Sequence, residues 1–155
     1  MWLMLVVVGA AVAKAPLLSE QGRVRTCAGV VGAVNEPYVS VRGDLAVNLT
    51  HRFALRGDAT LPIGLGPVAD FGLHAQLDLG DYALRAYLSP GVVARWAPAA
   101  AGDAPAGLAV RGEVGLRPLI RWGWGLHAGI LGTVPLDRRG PEAGVAGVLG
   151  TWLEW

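Results

Sequence analysis

The chain has 155 residues, room for one domain with a sizeable core and too little for two. Hydrophobic residues make up 53% and charged residues 16%, against a usual charged share of about 25%, so a disordered chain is excluded. Thirteen basic residues against twelve acidic ones leave a formal charge of +1, which excludes the clustered positive charge of a nucleic-acid binder.

Residues Trp2 to Ala13 read WLMLVVVGAAVA, an apolar stretch ending in small residues. That is the pattern of the apolar region and cleavage site of a secretory signal peptide, although the usual preceding positive charge is missing. Residues 1–13 are therefore expected to be a signal peptide cut after Ala13, since a cut after Ala15 would leave Pro16 at the new terminus. Residues 23–155 are expected to form a single domain. Past residue 13 no apolar run approaches the roughly 20 residues of a membrane helix. A hydrophobic chain without such helices points to strands, and in lipid only closed barrels of strands are permitted.

Along the chain the signal is a period of two. A weak run covers about 24–34. Val39, Val41, Leu45, Val47 and Leu49 then alternate with Ser40, Arg42, Asp44 and Asn48. Phe53, Leu55, Leu61 and Ile63 alternate with Arg52, Arg56, Asp58 and Thr60. Phe71, Leu73, Leu77 and Leu79 alternate with His74, Gln76 and Asp78. Tyr82, Leu84 and Leu88 alternate with Arg85, Tyr87 and Ser89. Leu108, Val110, Val114 and Leu116 alternate with Arg111, Glu113 and Arg117. Ile120, Trp122, Trp124, Leu126 and Ile130 alternate with Arg121 and His127, and a last run covers about 143–155. The pattern predicts eight strands, mostly of the roughly 9 to 13 residues that a tilted membrane strand needs.

Tight joins near Thr50 to Arg52, Gly80-Asp81 and Arg117 to Leu119 alternate with longer ones at 35–37, 64–67, 97–107 and 135–142. Short turns at one end and long loops at the other are the asymmetry of outer-membrane barrels, with both termini on the short-turn, periplasmic side. Phe53, Tyr82, Trp122, Trp124 and Trp155 fall near the short-turn end and Trp96 near the other, an aromatic girdle for two membrane interfaces.

The chain resembles the small eight-stranded bacterial outer-membrane barrels of the OmpA and OmpX type, over about residues 23–155. Val145, Gly147, Leu149, Thr151 and Leu153 alternate up to a terminal aromatic, Trp155, which is similar to the assembly signal of that class. The resemblance implies an all-β, antiparallel up-and-down transmembrane barrel in the bacterial outer membrane. It implies as partners outer-membrane lipid and lipopolysaccharide, the barrel-assembly machinery acting on Leu149, Thr151, Leu153 and Trp155, and an undefined extracellular partner. It implies no activity.

Eight strands leave an interior filled by side chains. Residues i and i+2 of a strand share a face, so Arg42 with Asp44, Arg56 with Asp58 and Arg111 with Glu113 point inward together. With Asp78, Arg85, Arg117 and Arg121 they are expected to form a buried, mutually paired network, since isolated buried charges cost several kcal/mol. A turn that sets Leu49 opposite Phe53 puts Asp44 opposite Asp58. Arg42–Asp58 and Asp44–Arg56 then become diagonal pairs. Such a plug argues against a diffusion pore, and the three Arg-Gly-acid tripeptides lie in strands rather than at the loop tip that adhesion needs.

Cys27 stands alone, which excludes an internal disulfide, and no cofactor or metal motif is present. His74 and His127 read as ordinary members of the interior network. Some barrels of this class act on lipid A through a Ser two residues after a His; here Gly129 occupies that place after His127. No enzyme is expected. Three classes stay open: a structural or surface-interaction barrel, a lipid-modifying outer-membrane enzyme, and a soluble lipocalin-like barrel with Leu and Val lining its cavity. The first requires Leu45, Val47, Leu55, Leu73, Leu84, Val114 and Leu126 to face outward.

Overall fold

The computed structural model describes residues 22–33, 39–63, 68–80, 83–96, 107–121 and 123–155. Eight strands carry the period-two pattern: β1 (Val24–Ala33), β2 (Val39–Asn48), β3 (Phe53–Pro62), β4 (Ala69–Gly80), β5 (Leu84–Trp96), β6 (Gly107–Arg121), β7 (Trp124–Pro135) and β8 (Gly144–Glu154). Each pairs antiparallel with the next, and β8 returns to β1, closing the barrel. Closure leaves no strand edge with unpaired N–H and C=O groups. The expected signal peptide lies outside the described residues.

The pleat sends alternate side chains to opposite faces, and the two faces are chemically sorted. In β2 the exposed positions are Val39, Val41, Gly43, Leu45 and Val47, and the buried ones are Ser40, Arg42, Asp44, Ala46 and Asn48. The other strands repeat this: Leu55, Leu73, Leu84, Val114 and Leu126 all point outward. Hydrocarbon thus covers the outside, and guanidinium, carboxylate and amide groups fill the inside. The cavity lined by Leu and Val that a lipocalin-like barrel requires is the reverse of this arrangement.

The β2–β3 turn sets the register. Leu49 N–H donates to the Phe53 carbonyl, and Thr50 Oγ1 accepts from the N–H groups of Arg52 and Phe53. Counting back from that turn brings Asp44 opposite Asp58. β6 runs further than its hydrophobic pattern suggests. The expected turn at Arg117 to Leu119 is strand, β6 continues to Arg121, and Gly123 (φ 77°) stands at the reversal into β7. The β6–β7 register shifts by one residue between Leu119 and Arg121. One extra residue swaps the faces beyond it, so Arg121 is exposed and is no member of the interior network.

Glycines make room for the largest interior rings. A Cβ on Gly115 would sit 2.5 Å from Tyr87 Oη, and one on Gly129 would sit 2.6 Å from it. Tyr87, itself buried, lies against the bare backbones of β6 and β7 and packs edge-on to the His127 ring. Gly72 and Gly91 leave similar space for His74. Val31, Leu131, Ala146 and Val148 form a small apolar cluster between β1, β7 and β8. Gly115→Ala should therefore lower the unfolding free energy of the detergent-folded barrel by about 1–3 kcal/mol, as overpacking does. Gly112→Ala, where an added Cβ meets nothing within 4 Å, should leave the urea midpoint nearly unchanged.

Candidate functional site: the charged barrel interior

Among the described residues, six arginines (Arg25, Arg42, Arg56, Arg85, Arg111, Arg117) and six carboxylates (Asp44, Asp58, Asp70, Asp78, Glu113, Glu154) are buried inside the barrel. Their formal charges cancel. Glu113 is the centre. One carboxylate oxygen takes ion pairs from Arg42 at 2.8 Å and Arg56 at 2.6 Å. The other accepts from Tyr87 Oη at 2.5 Å and meets His127 Nε2 at 3.1 Å. Tyr87 Oη also contacts His127 Nε2. Arg42 reaches on to Asp58 at 2.6 Å, and Asp58 holds His74 Nε2 at 3.1 Å.

Two smaller clusters flank this hub. Toward the termini, Asp78 is clamped by Arg25 and Arg117 at 3.1 and 3.2 Å, and Gln76 bridges Asp78 and Arg117. Arg117 also lies over the Tyr87 ring, 4.0 Å from its centroid. Arg85 and Asn48 both contact Glu154. Toward the opposite mouth, Asp70 joins Arg95 and Arg111, and Arg111 donates to Thr133. A cavity of about 290 Å³, lined by Ser40, Thr60, Asp70, Arg95, Arg111 and Thr133 among others, opens there.

Nine of the ten expected network residues are thus buried together, with Arg121 the exception. The diagonal Arg42–Asp58 pair forms. The Asp44–Arg56 pair does not: Arg56 reaches across the lumen to Glu113 instead, and Asp44 makes no ion pair among the described residues. A long guanidinium stem in a narrow lumen reaches the far wall as readily as the neighbouring strand. Arg25, Asp70 and Glu154 belong to the interior although the sequence pattern had not singled them out. Glu154 was within reach, because alternation ending on outward Leu153 and Trp155 turns residue 154 inward. Phe53, Trp96, Trp124 and Trp155 are exposed at strand ends, Trp96 at the mouth end and the others at the termini end. Tyr82 and Trp122 lie outside the described residues. Leu149, Thr151 and Trp155 face outward, with Leu153 half-buried on the same row.

The β7–β8 connection, residues 136–143, folds back over the start of β6. Asp137 accepts from the Leu108 N–H at 2.9 Å and the Arg139 N–H at 2.8 Å. These donors, Leu108 first, then Arg139 and Gly140, hold the exposed Asp137 carboxyl below the usual aspartate range.

No protein-family model matches the chain, and no curated protein resembles it in sequence. Solved structures share its fold. The crystal structure of the N-terminal β-barrel domain of Pseudomonas aeruginosa OprF matches with a TM-score of 0.73 at 16% identity, over 88% of this chain and 100% of that one. The chain has the fold of an eight-stranded transmembrane β-barrel. A de novo designed transmembrane β-barrel matches with a TM-score of 0.66 at 10% identity, over 89% of this chain and 99% of the design. Identities this low carry architecture alone.

Breaking one partner of a buried pair strands the other charge. Arg56→Ala and Glu113→Gln should each cost about 3–5 kcal/mol, and the double variant clearly less than their sum, in urea unfolding of the detergent-folded barrel. Arg56→Ala combined with Asp44→Asn should be close to additive. For Asp137 the lowered folded-state pKa means that its contribution is present above the ordinary aspartate pKa and is lost as pH falls through the lowered value. Amide exchange at Leu108 and Arg139, corrected for intrinsic rates, should lose protection on acidification, and Asp137→Asn should abolish that dependence.

Proposed function

We propose that this protein is an outer-membrane β-barrel of a Gram-negative cell envelope, with a plugged interior and a structural or surface-interaction role. The carrying observation is the sorting of the two faces: an interior of balanced, largely ion-paired charge inside a continuous apolar exterior. Water would not tolerate that exterior over a whole closed sheet, whereas a bilayer stabilises it. The outward aromatics at both ends suit the two membrane interfaces. Lipid and lipopolysaccharide are then the partners of the outer wall. Leu149, Thr151, Leu153 and Trp155 serve the assembly machinery, and a signal peptide directs export. In this reading the mouth end, with the β7–β8 connection of residues 136–143, faces the cell exterior and is where an extracellular partner would dock.

The role is non-enzymatic in this reading. His74 and His127 each direct Nε2 onto a carboxylate that arginines already hold, and both are almost fully buried. No acyl chain in the bilayer reaches them through the wall. The interior equally argues against diffusion, because arginine–carboxylate bridges span the lumen.

The folded protein, extracted in mild detergent, should migrate differently in gels before and after boiling. In planar bilayers it should give no large steady conductance. Leu73 lies mid-strand in β4 and is 54% exposed on the apolar face. Leu73→Arg should cost about 2–4 kcal/mol of folding free energy in lipid vesicles. A protein that stays soluble without detergent and shows no gel shift on boiling would overturn the membrane reading.

A further inference from the structure

Asp44 stands apart from every other interior carboxylate. Asp58, Asp70, Asp78, Glu113 and Glu154 each carry at least one arginine, whereas Asp44 has no ion pair among the described residues. It is more than nine-tenths buried, and its Oδ1 has no hydrogen-bond partner. The nearby guanidinium groups are engaged elsewhere: Arg25 and Arg117 on Asp78, Arg42 on Asp58 and Glu113, Arg56 on Glu113. A buried carboxylate without a direct partner is costly to hold in an interior.

Two other metal-ligating groups converge on it. Cys27 of β1 faces Asp44 of β2 in register. His127 arrives from β7. Donor atoms of the three residues all lie within 4.8 Å of one another, and all three residues are buried. His127 Nε2 is turned toward Glu113 at 3.1 Å, which leaves Nδ1 as the ring nitrogen for a metal. A carboxylate behind a ligating imidazole is the usual outer partner of a metal-binding histidine.

We propose that Cys27, Asp44 and His127 form a binding site for a divalent transition-metal cation of the Zn²⁺ type inside the barrel. The donor set is sulfur, nitrogen and oxygen, which suits Zn²⁺ or Co²⁺ and not Mg²⁺ or Ca²⁺, whose sites are built from oxygen. Three protein ligands leave a fourth position for water. Binding displaces the Cys27 thiol proton to solvent, and thiolate plus carboxylate then balance the two charges of the ion. The site gives a direct partner to the one interior acid that has no ion pair among the described residues.

The full chain, refolded into detergent micelles with Co²⁺ present, provides the test. The expected spectrum has a thiolate-to-cobalt charge-transfer band in the near ultraviolet and tetrahedral bands in the visible, both removed by excess Zn²⁺. Cys27→Ser should abolish the charge-transfer band. Asp44→Asn should weaken Co²⁺ binding by more than about 100-fold, since losing even an outer partner costs 10–100-fold. Migration before and after boiling checks that each variant folds. Protein refolded with Zn²⁺ and studied by X-ray absorption gives an answer that needs no variant: one sulfur at about 2.3 Å with nitrogen or oxygen at about 2.0 Å. Folded wild type without the charge-transfer band, an unchanged band in Cys27→Ser, or a Zn²⁺ shell without sulfur would overturn the proposal.

Discussion

Electroneutrality inside a narrow lumen is the constraint that organises this protein. An outward face of Leu, Val and Ile leaves the inward face to carry nearly all the polar groups of the strands, and eight strands give that face no room for bulk water. Charges placed there must cancel and must satisfy one another's hydrogen bonds. Among the described residues six arginines balance six carboxylates in number, and five of those acids are ion-paired. Glu113 illustrates how tightly the sum is met, since both of its oxygens are shared, one between two guanidinium groups and one between a phenol and an imidazole. Removing the hub would release partners on four other strands at once: β2, β3, β5 and β7.

The bulky side chains of this network need space that a wall of ordinary residues would not leave. Glycines supply it where rings approach the wall. Tyr87 rests on Gly115 and Gly129, and His74 rests on Gly72 and Gly91. The high glycine content therefore has a packing cause in the barrel wall as well as a conformational one at Gly123, where the positive φ accompanies a chain reversal.

Much of this was legible in the residues. Strict alternation announces strands and assigns each side chain to a face, and the Leu49–Phe53 turn dictates that Asp44 stands opposite Asp58. These features are local, and local pattern specifies them. Three things were not local. The Arg121 position depends on a one-residue register shift in β6 that its own hydrophobic pattern conceals. The choice of Glu113 over Asp44 by Arg56 depends on lumen diameter, since the two partners are 57 residues apart and on strands that do not touch. Arg25 sits in a first strand whose Ala- and Gly-rich alternation is weak, so its inward orientation emerges only once β1 is paired on both sides.

The seam between β1 and β8 carries a consequence for biogenesis. Arg25 pairs in register with Glu154, so the last bonds of the wall join segments almost the whole domain apart. A sheet of seven strands would expose two open edges and take Glu154 away from Arg85, and in hydrocarbon an open edge cannot persist. The barrel thus has no stable partial form, and closing so long a loop is slow. A growing chain gains nothing by starting early. The last strand therefore carries more than its share of the structure, because without β8 the wall does not close.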